Sequence, residues 1–144
     1  MNVQNILDGK AAGGVTTIAS SASLGEAVAV LAERRIGAVV ISANGREVEG
    51  IISERDIVRE LARRGAAALE LKVLHVMTRR IVSCAPGDTS ESVMARMSQG
   101  GFRHMPVMAG GVLVGIISIR DVVKARLDDL AMEKGALENM IMGF

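Results

Sequence analysis

Tryptophan and tyrosine are absent from this chain, and Phe102 and Phe144 are its only aromatic residues. Binders of single-stranded nucleic acid stack bases on aromatic rings, so that class of function is excluded. Cysteine is scarce as well. Cys84 stands alone, which leaves no partner for a disulfide and no set of thiolates for zinc. A lone thiol suits a reducing compartment. Charge of one sign is also lacking: 17 Lys and Arg face 16 Asp and Glu, for a net charge of +1. Such a balance exerts no long-range pull on nucleic acid or on an anionic membrane. No apolar run approaches the length of about 18 residues that a membrane span requires. The first ten residues carry no basic segment followed by an apolar one, so no signal peptide is expected and the expected compartment is the cytoplasm. What the chain does have is aliphatic bulk. Hydrophobic residues make up 49% of 144, nine of them Met. A folded chain of this length buries roughly 70% of the surface its unfolded form exposes, so an aliphatic core is within reach.

The chain repeats itself. Gly50-Ile51-Ile52-Ser53-Glu54-Arg55-Asp56-Ile57-Val58-Arg59 lies over Gly115-Ile116-Ile117-Ser118-Ile119-Arg120-Asp121-Val122-Val123-Lys124 at a constant offset of 65. Only Glu54 against Ile119 breaks the likeness. Upstream of each copy is a turn signal, Asn44-Gly45 in one and Gly110-Gly111 in the other, residue types that accept positive φ. Further upstream, Ile36-Gly37-Ala38-Val39-Val40-Ile41 lies over Phe102-Arg103-His104-Met105-Pro106-Val107. Ser23 to Glu26 and Asp88 to Glu91 both resemble helix caps with a Glu three residues on. Apolar residues at helical spacing follow each of them. Short strands are expected before both helices, over Val15–Ala19 and Ile81–Ala85. Each unit therefore reads strand, helix, strand, turn, strand, helix. The closing helices are expected to begin near Glu54 and Ile119. The expected organisation is an N-terminal segment 1–14, a first repeat 15–65, a linker 66–80, a second repeat 81–130 and a helical extension 131–144. The linker is apolar enough to pack. Neither repeat, at about 50 residues, would bury its apolar faces well alone, so two copies stacked about a pseudo-twofold axis are expected to share a core and a cleft.

The repeated motif carries the chemistry. Ser53 and Asp56, like Ser118 and Asp121, fall where a strand meets a helix. The plain reading is a cap: Ser at the N-cap and Asp three residues on satisfy free amides and suit the helix dipole. The alternative is that hydroxyl and carboxylate together hold a vicinal diol such as ribose, next to a helix N-terminus that favours anions. Arg55 and Arg120 sit on the first helical turn, where the dipole disfavours a cation unless an anion is near. Arg103 and His104 open an otherwise apolar strand. They read either as polar residues on an edge strand blunted by Pro106 or as phosphate contacts. Their repeat-1 counterparts, Gly37 and Ala38, cannot contact phosphate, so the repeats are chemically unequal. No nucleophile elbow, phosphate-binding loop or pair of histidines at metal spacing is present. No catalytic residue and no metal ligand is therefore assigned, and the chain is not expected to be an enzyme. His75, Cys84 and the Met residues read as structural. Beyond Leu130 the helix continues, with Leu127, Leu130, Ala131, Leu137, Met140 and Ile141 roughly on one face, which suits a subunit interface.

On the two Gly-Ile-Ile-Ser-x-Arg-Asp motifs, Ile36-Gly37-Ala38, Phe102 to Val107 and the His75-Val76-Met77-Thr78 linker, the chain resembles a tandem cystathionine-β-synthase (CBS) domain pair, the Bateman module. The resemblance implies an α+β fold of two β-α-β-β-α repeats. It implies clefts between repeats that take AMP, ADP, ATP, NAD or S-adenosylmethionine, and a homodimer of modules. It assigns Ser53, Asp56, Ser118 and Asp121 to ribose. Arg103, His104, Arg55 and Arg120 fall to phosphate, and Val82, Met105, Pro106, Gly37 and Ala38 to the adenine pocket. The family's clefts combine the motif of one repeat with the central strand of the other, so Asp56 is expected to work with Arg103 and His104, in the tighter site. The implied function is a non-enzymatic sensor of an adenine nucleotide, with no required cofactor, an unidentified protein target, and neither nucleic acid nor membrane as partner. The alternative is a structural dimerisation module with vestigial sites.

Overall fold

A computed structural model of the chain describes residues 1–10 and 14–143; Ala11, Ala12 and Gly13 of the N-terminal segment, and the aromatic Phe144, lie outside them. The chain divides into two compact units. One comprises Gly13–Val82 with Met108–Val114, the other Met1–Ala12, Ser83–Val107 and Gly115–Phe144.

In the first unit a three-stranded sheet has the order β1 (Thr17–Ile18), β2 (Ala38–Ile41), β3 (Gly50–Ser53). β1 runs parallel to β2, and β2 antiparallel to β3. All four residues of β2 are buried, as a central strand covered on both faces requires. β1 is shorter than the expected Val15–Ala19. Helix α2 (Leu24–Arg34) is capped as its sequence indicates. The Ser23 hydroxyl accepts the Glu26 amide at 3.1 Å, and the Glu26 carboxylate accepts the Ser23 amide at 2.9 Å, a reciprocal cap worth about 1 kcal/mol. Before β3 the chain turns at Asn44-Gly45. The Asn44 side-chain oxygen accepts the amides of Arg46 and Glu47, each at 2.9 Å, and Gly45 takes a φ of +76°. Helix α3 (Glu54–Arg64) starts where expected. The linker packs: two 3-10 turns, Gly65–Glu70 and Val73–His75, bury Ala68 and Val73 completely against Leu24, Ile52 and their neighbours. Burying an aliphatic side chain of the size of Ile52 contributes about 1.5–3 kcal/mol.

The second unit opens with a helix that the sequence pattern did not reveal, α1 (Val3–Asp8), capped by Asn2 and Asn5 in reciprocal bonds of 2.9 and 3.0 Å. Its Val3 and Ile6 enter a core with Cys84, Val93, Met97 and Ile117. Helix α4 (Ser90–Gly100) is capped by Thr89, whose hydroxyl accepts the Ser92 amide at 3.0 Å, and not by Asp88. Asp88 is spent elsewhere. It accepts the Ala85 amide at 2.9 Å and the Arg96 guanidinium at 2.8 Å, and the amide first and then the guanidinium hold its carboxyl below the ordinary value. Strands β4 (His104–Ala109) and β5 (Val112–Ser118) form a hairpin, whose tip, Met108–Val114, is counted with the first unit. Its two-residue turn, Gly110-Gly111, has φ of +58° and +79°, the left-handed pair such a turn requires. The strand expected over Ile81–Ala85 shrinks to one parallel bridge between Cys84 and Val107, with the Cys84 amide bonded to the Pro106 carbonyl at 3.0 Å. Beside that bridge the Arg96 guanidinium donates to the Ser83 carbonyl at 2.8 Å. Cys84 itself is buried, and burial pushes its thiol up to about 11 against the pull of Arg96. Helix α5 (Ile119–Met142) closes the chain. It is 24 residues long, yet only Val122 and Ala125 within it are buried.

Candidate functional site: the repeated strand-to-helix junctions

In each repeat an alternating strand delivers its serine, extended, to the first turn of a helix. Ser53 sits at φ −116°, ψ 166° and Ser118 at φ −104°, ψ 165°. This backbone lets the hydroxyl face the amide three residues on. In repeat 1 the Ser53 oxygen accepts the Asp56 amide at 3.5 Å. The Oδ2 atom of Asp56 accepts the Ser53 amide at 2.8 Å and the Ser53 hydroxyl at 3.0 Å. In repeat 2 the Ser118 oxygen accepts the Asp121 amide at 3.3 Å, and Asp121 Oδ2 accepts the Ser118 amide at 2.8 Å. Both aspartates are half-buried. The capping reading is thus realised in both copies. It does not exhaust the site, because a carboxylate has about four acceptor positions and two cap bonds leave room for sugar hydroxyls.

Next to each junction lies the start of the neighbouring strand of the same repeat. The Glu54 amide donates to the Gly37 carbonyl at 3.0 Å, and Ala38 pairs with Ser53 in the sheet. The corresponding bond in repeat 2 runs from the Ile119 amide to the Arg103 carbonyl, at 2.8 Å. Backbone geometry therefore brings Gly37 and Ala38 beside Ser53, and Arg103 beside Ser118. Arg55 and Arg103 are exposed and His104 is half-buried. Arg120 lies in a shallow depression of about 310 Å³ on α5, with Ile119, Val123, Lys124 and Leu127. Of the residues expected at adenine, Val82 is 41% exposed and could meet a ligand, whereas Met105 is fully buried among Ile117, Val122 and the rest of that core. Pro106 is buried too, and its carbonyl is taken by Cys84. Among the described residues, no group of three or more His, Cys, Asp or Glu could hold a metal, and no helix is long and apolar enough to cross a membrane.

One residue at these junctions has no signal in the sequence. The Lys10 ammonium, just past α1, donates to Asp121 Oδ2 and to the Ile116 carbonyl, each at 2.9 Å. The two partners lie more than a hundred positions away along the chain, and no motif links them. Burial would raise the Asp121 carboxyl, but the Ser118 amide and Lys10 outweigh it and hold the group below its ordinary value of 3.8.

Comparison with known proteins places this geometry. The model of the CBS domain family matches residues 13–63 and 73–128. The crystal structure of the CBS-domain containing protein ATU1752 from Agrobacterium tumefaciens superposes with a TM-score of 0.82 at 44% identity, covering 87% of this chain and 92% of that one. The mitochondrial CBS domain-containing protein CBSX3 of Arabidopsis thaliana is 30% identical over 122 residues, 82% of this chain, which spans 59% of that relative's length. The CBS domain pair of protein MJ0100, solved in complex with 5′-methylthioadenosine and S-adenosyl-L-methionine, shares the fold with a TM-score of 0.77 at 22% identity, covering 90% of this chain and 98% of that one.

Proposed function

The chain belongs to the CBS domain family, of which it holds two copies, and from that premise we propose that it is a non-catalytic regulatory module that senses an adenine nucleotide. The ligand is AMP, ADP, ATP or NAD, held through its ribose by the Ser–Asp pairs and acting on a homodimer and through it on a protein target. The observation that carries the reading is the duplicated junction: an extended serine and a half-buried carboxylate three residues on, at the mouth of a helix, built twice with the carboxylate accepting the serine amide at 2.8 Å in each. A diol donates two hydrogen bonds to a carboxylate, and the helix N-terminus favours the anion. The α2 cap in the same chain is closed by Glu26. Capping alone does not demand the shorter Asp that both strand-to-helix junctions carry. That a pair of this fold holds two adenosine derivatives, as in MJ0100, supports the same chemistry.

In this proposal Asp56 takes the ribose of the tighter site, with Arg55 on the same helical turn, and Arg103 and His104 are the other candidate phosphate contacts. Asp121 takes the ribose of the weaker site, with Arg120 on the same helical turn as a candidate phosphate contact, whereas Gly37 and Ala38 carry no phosphate donor. The adenine is held by aliphatic and backbone contacts, Val82 among them. A thermal-shift panel of AMP, ADP, ATP, NAD and S-adenosylmethionine tests it. A ligand at about 100 times its Kd adds about 2.7 kcal/mol, and Asp56→Ala should abolish most of the shift.

The second reading, a dimerisation module with vestigial sites, rests on α5. Leu127, Leu130, Leu137, Met140 and Ile141 are 61, 52, 58, 78 and 84% exposed among the described residues, and with Ala131 they give that helix an exposed apolar face. If no member of the panel shifts the melting temperature, while Leu130→Glu with Leu137→Glu converts a dimer to a monomer in a sedimentation experiment, that reading replaces the first.

A further inference from the structure

The two junctions differ at one pair of acceptors. In repeat 1 the Ile51 carbonyl accepts the Thr78 amide at 2.8 Å, and the Oδ2 atom of Asp56 accepts the Ser53 hydroxyl at 3.0 Å. The acceptors 65 residues on, the Ile116 carbonyl and Asp121 Oδ2, are both taken by one ammonium, that of Lys10. Lys10 is held in place. Its own amide bonds the Leu7 carbonyl at 3.1 Å, and Leu7 packs so closely on β5 that a β-carbon on Gly115 would come within 2.6 Å of its side chain.

We propose that Lys10 is a latch on the repeat-2 site, an internal cation that a nucleotide must displace from Asp121 before its ribose can bind. The proposal rests on reading Asp121 as a ribose acceptor. At Asp56 the partner on Oδ2 is the neutral Ser53 hydroxyl, which can rotate and re-donate when a sugar hydroxyl arrives. At Asp121 the partner is charged and anchored on a second acceptor, so a neutral sugar hydroxyl replaces it only by giving up an ion pair. The side chains of Lys10 and Asp121 are 39% and 24% exposed, so the pair is open enough to be displaced. The sites are thus unequal in kind: one is ready, and the other is occupied by the chain itself.

The test uses the full chain carrying Asp56→Ala, which leaves repeat 2 as the only complete site, titrated calorimetrically with AMP and with adenosine. Adding Lys10→Met should lower the Kd for both probes by about twofold to fivefold, the range of a part-exposed ion pair. Lys10→Gln, which removes the charge but keeps a donor, should do the same if the Met variant folds poorly. An unchanged Kd overturns the latch. So does weaker AMP binding with adenosine unaffected, which would make Lys10 a phosphate contact. If the unsubstituted chain binds AMP and the Lys10 variants show no gain, the latch alone falls. If no form binds either probe, the nucleotide reading falls and the latch falls with it.

Discussion

The junction at Ser53–Asp56 and the junction at Ser118–Asp121 begin from closely matching ten-residue blocks and finish with different surroundings. Their backbone is shared: extended serine, reciprocal cap, and an amide bonded to the first residues of the neighbouring strand. What differs is what covers the strand that leads into each. Over β3 the linker supplies Met77 against Gly50, and Thr78 exchanges two backbone bonds with Ile51. Over β5 the covering segment is α1 with the residues just past it: α1 supplies Leu7 against Gly115, and Lys10 supplies an ammonium in place of an amide. Duplication copied the scaffold, and the segments outside the copied block made the halves unequal.

The comparison can be broken first at its common base. Ile52 and Ile117 are both fully buried at the same strand position. Truncating either to Ala should cost about 2–5 kcal/mol, read as matched drops in melting temperature. Loss from only one of them would mean that the scaffold itself is unequal. Next come the carboxylates. Asp56→Ala should weaken AMP binding about tenfold to a hundredfold, the worth of hydrogen bonds to a charged group, while Asp121→Ala should cost less. Then come the covering contacts. A β-carbon on Gly50 would meet the Thr78 backbone carbonyl at 3.0 Å as well as Met77, whereas on Gly115 its three nearest atoms all belong to the Leu7 side chain. Overpacking costs about 1–3 kcal/mol. Gly50→Ala should therefore fall at the upper end and Gly115→Ala at the lower, by chemical denaturation.

The smaller effects are in titration. The Asp121 carboxyl is depressed in the folded state. A depressed carboxyl contributes stability that is complete above its unfolded value, and that contribution is lost as pH falls through the lower folded value. Acid unfolding monitored below about pH 4 should be less steep in Asp121→Asn than in the unsubstituted chain. Cys84, with its thiol pushed up to about 11 by burial, should resist alkylation at pH 8 until the chain unfolds, and so reports on repeat 2 opening.

The sequence showed the repeat, the helix starts at Glu54 and Ile119, the cap at Ser23 and the glycine turn at 110–111, because each is local chemistry written in consecutive residues. It misplaced the cap of α4, since Asp88 and Thr89 are both good caps, and Asp88 is engaged instead by the Ala85 amide and Arg96. It overextended the strand at Ile81–Ala85, because an apolar run does not show which of its residues bridge to a partner strand, and here Cys84 does. Helix α1 was missed, being six residues long and stabilised by packing and an Asn cap. At the candidate site the Ser–Asp pairs were legible from their recurrence. Met105 was placed at adenine by resemblance, whereas its side chain is buried in the core. Lys10 was invisible, because the ion pair with Asp121 depends on tertiary docking.

The central claim is that these junctions hold an adenine nucleotide and do so unequally. Calorimetric titration of AMP into the unsubstituted chain, Asp56→Ala and Asp121→Ala tests it most directly. The account predicts two classes of site in the first, with the tighter one lost in Asp56→Ala and retained in Asp121→Ala. Equal loss from both substitutions, or AMP binding untouched by either, would contradict it.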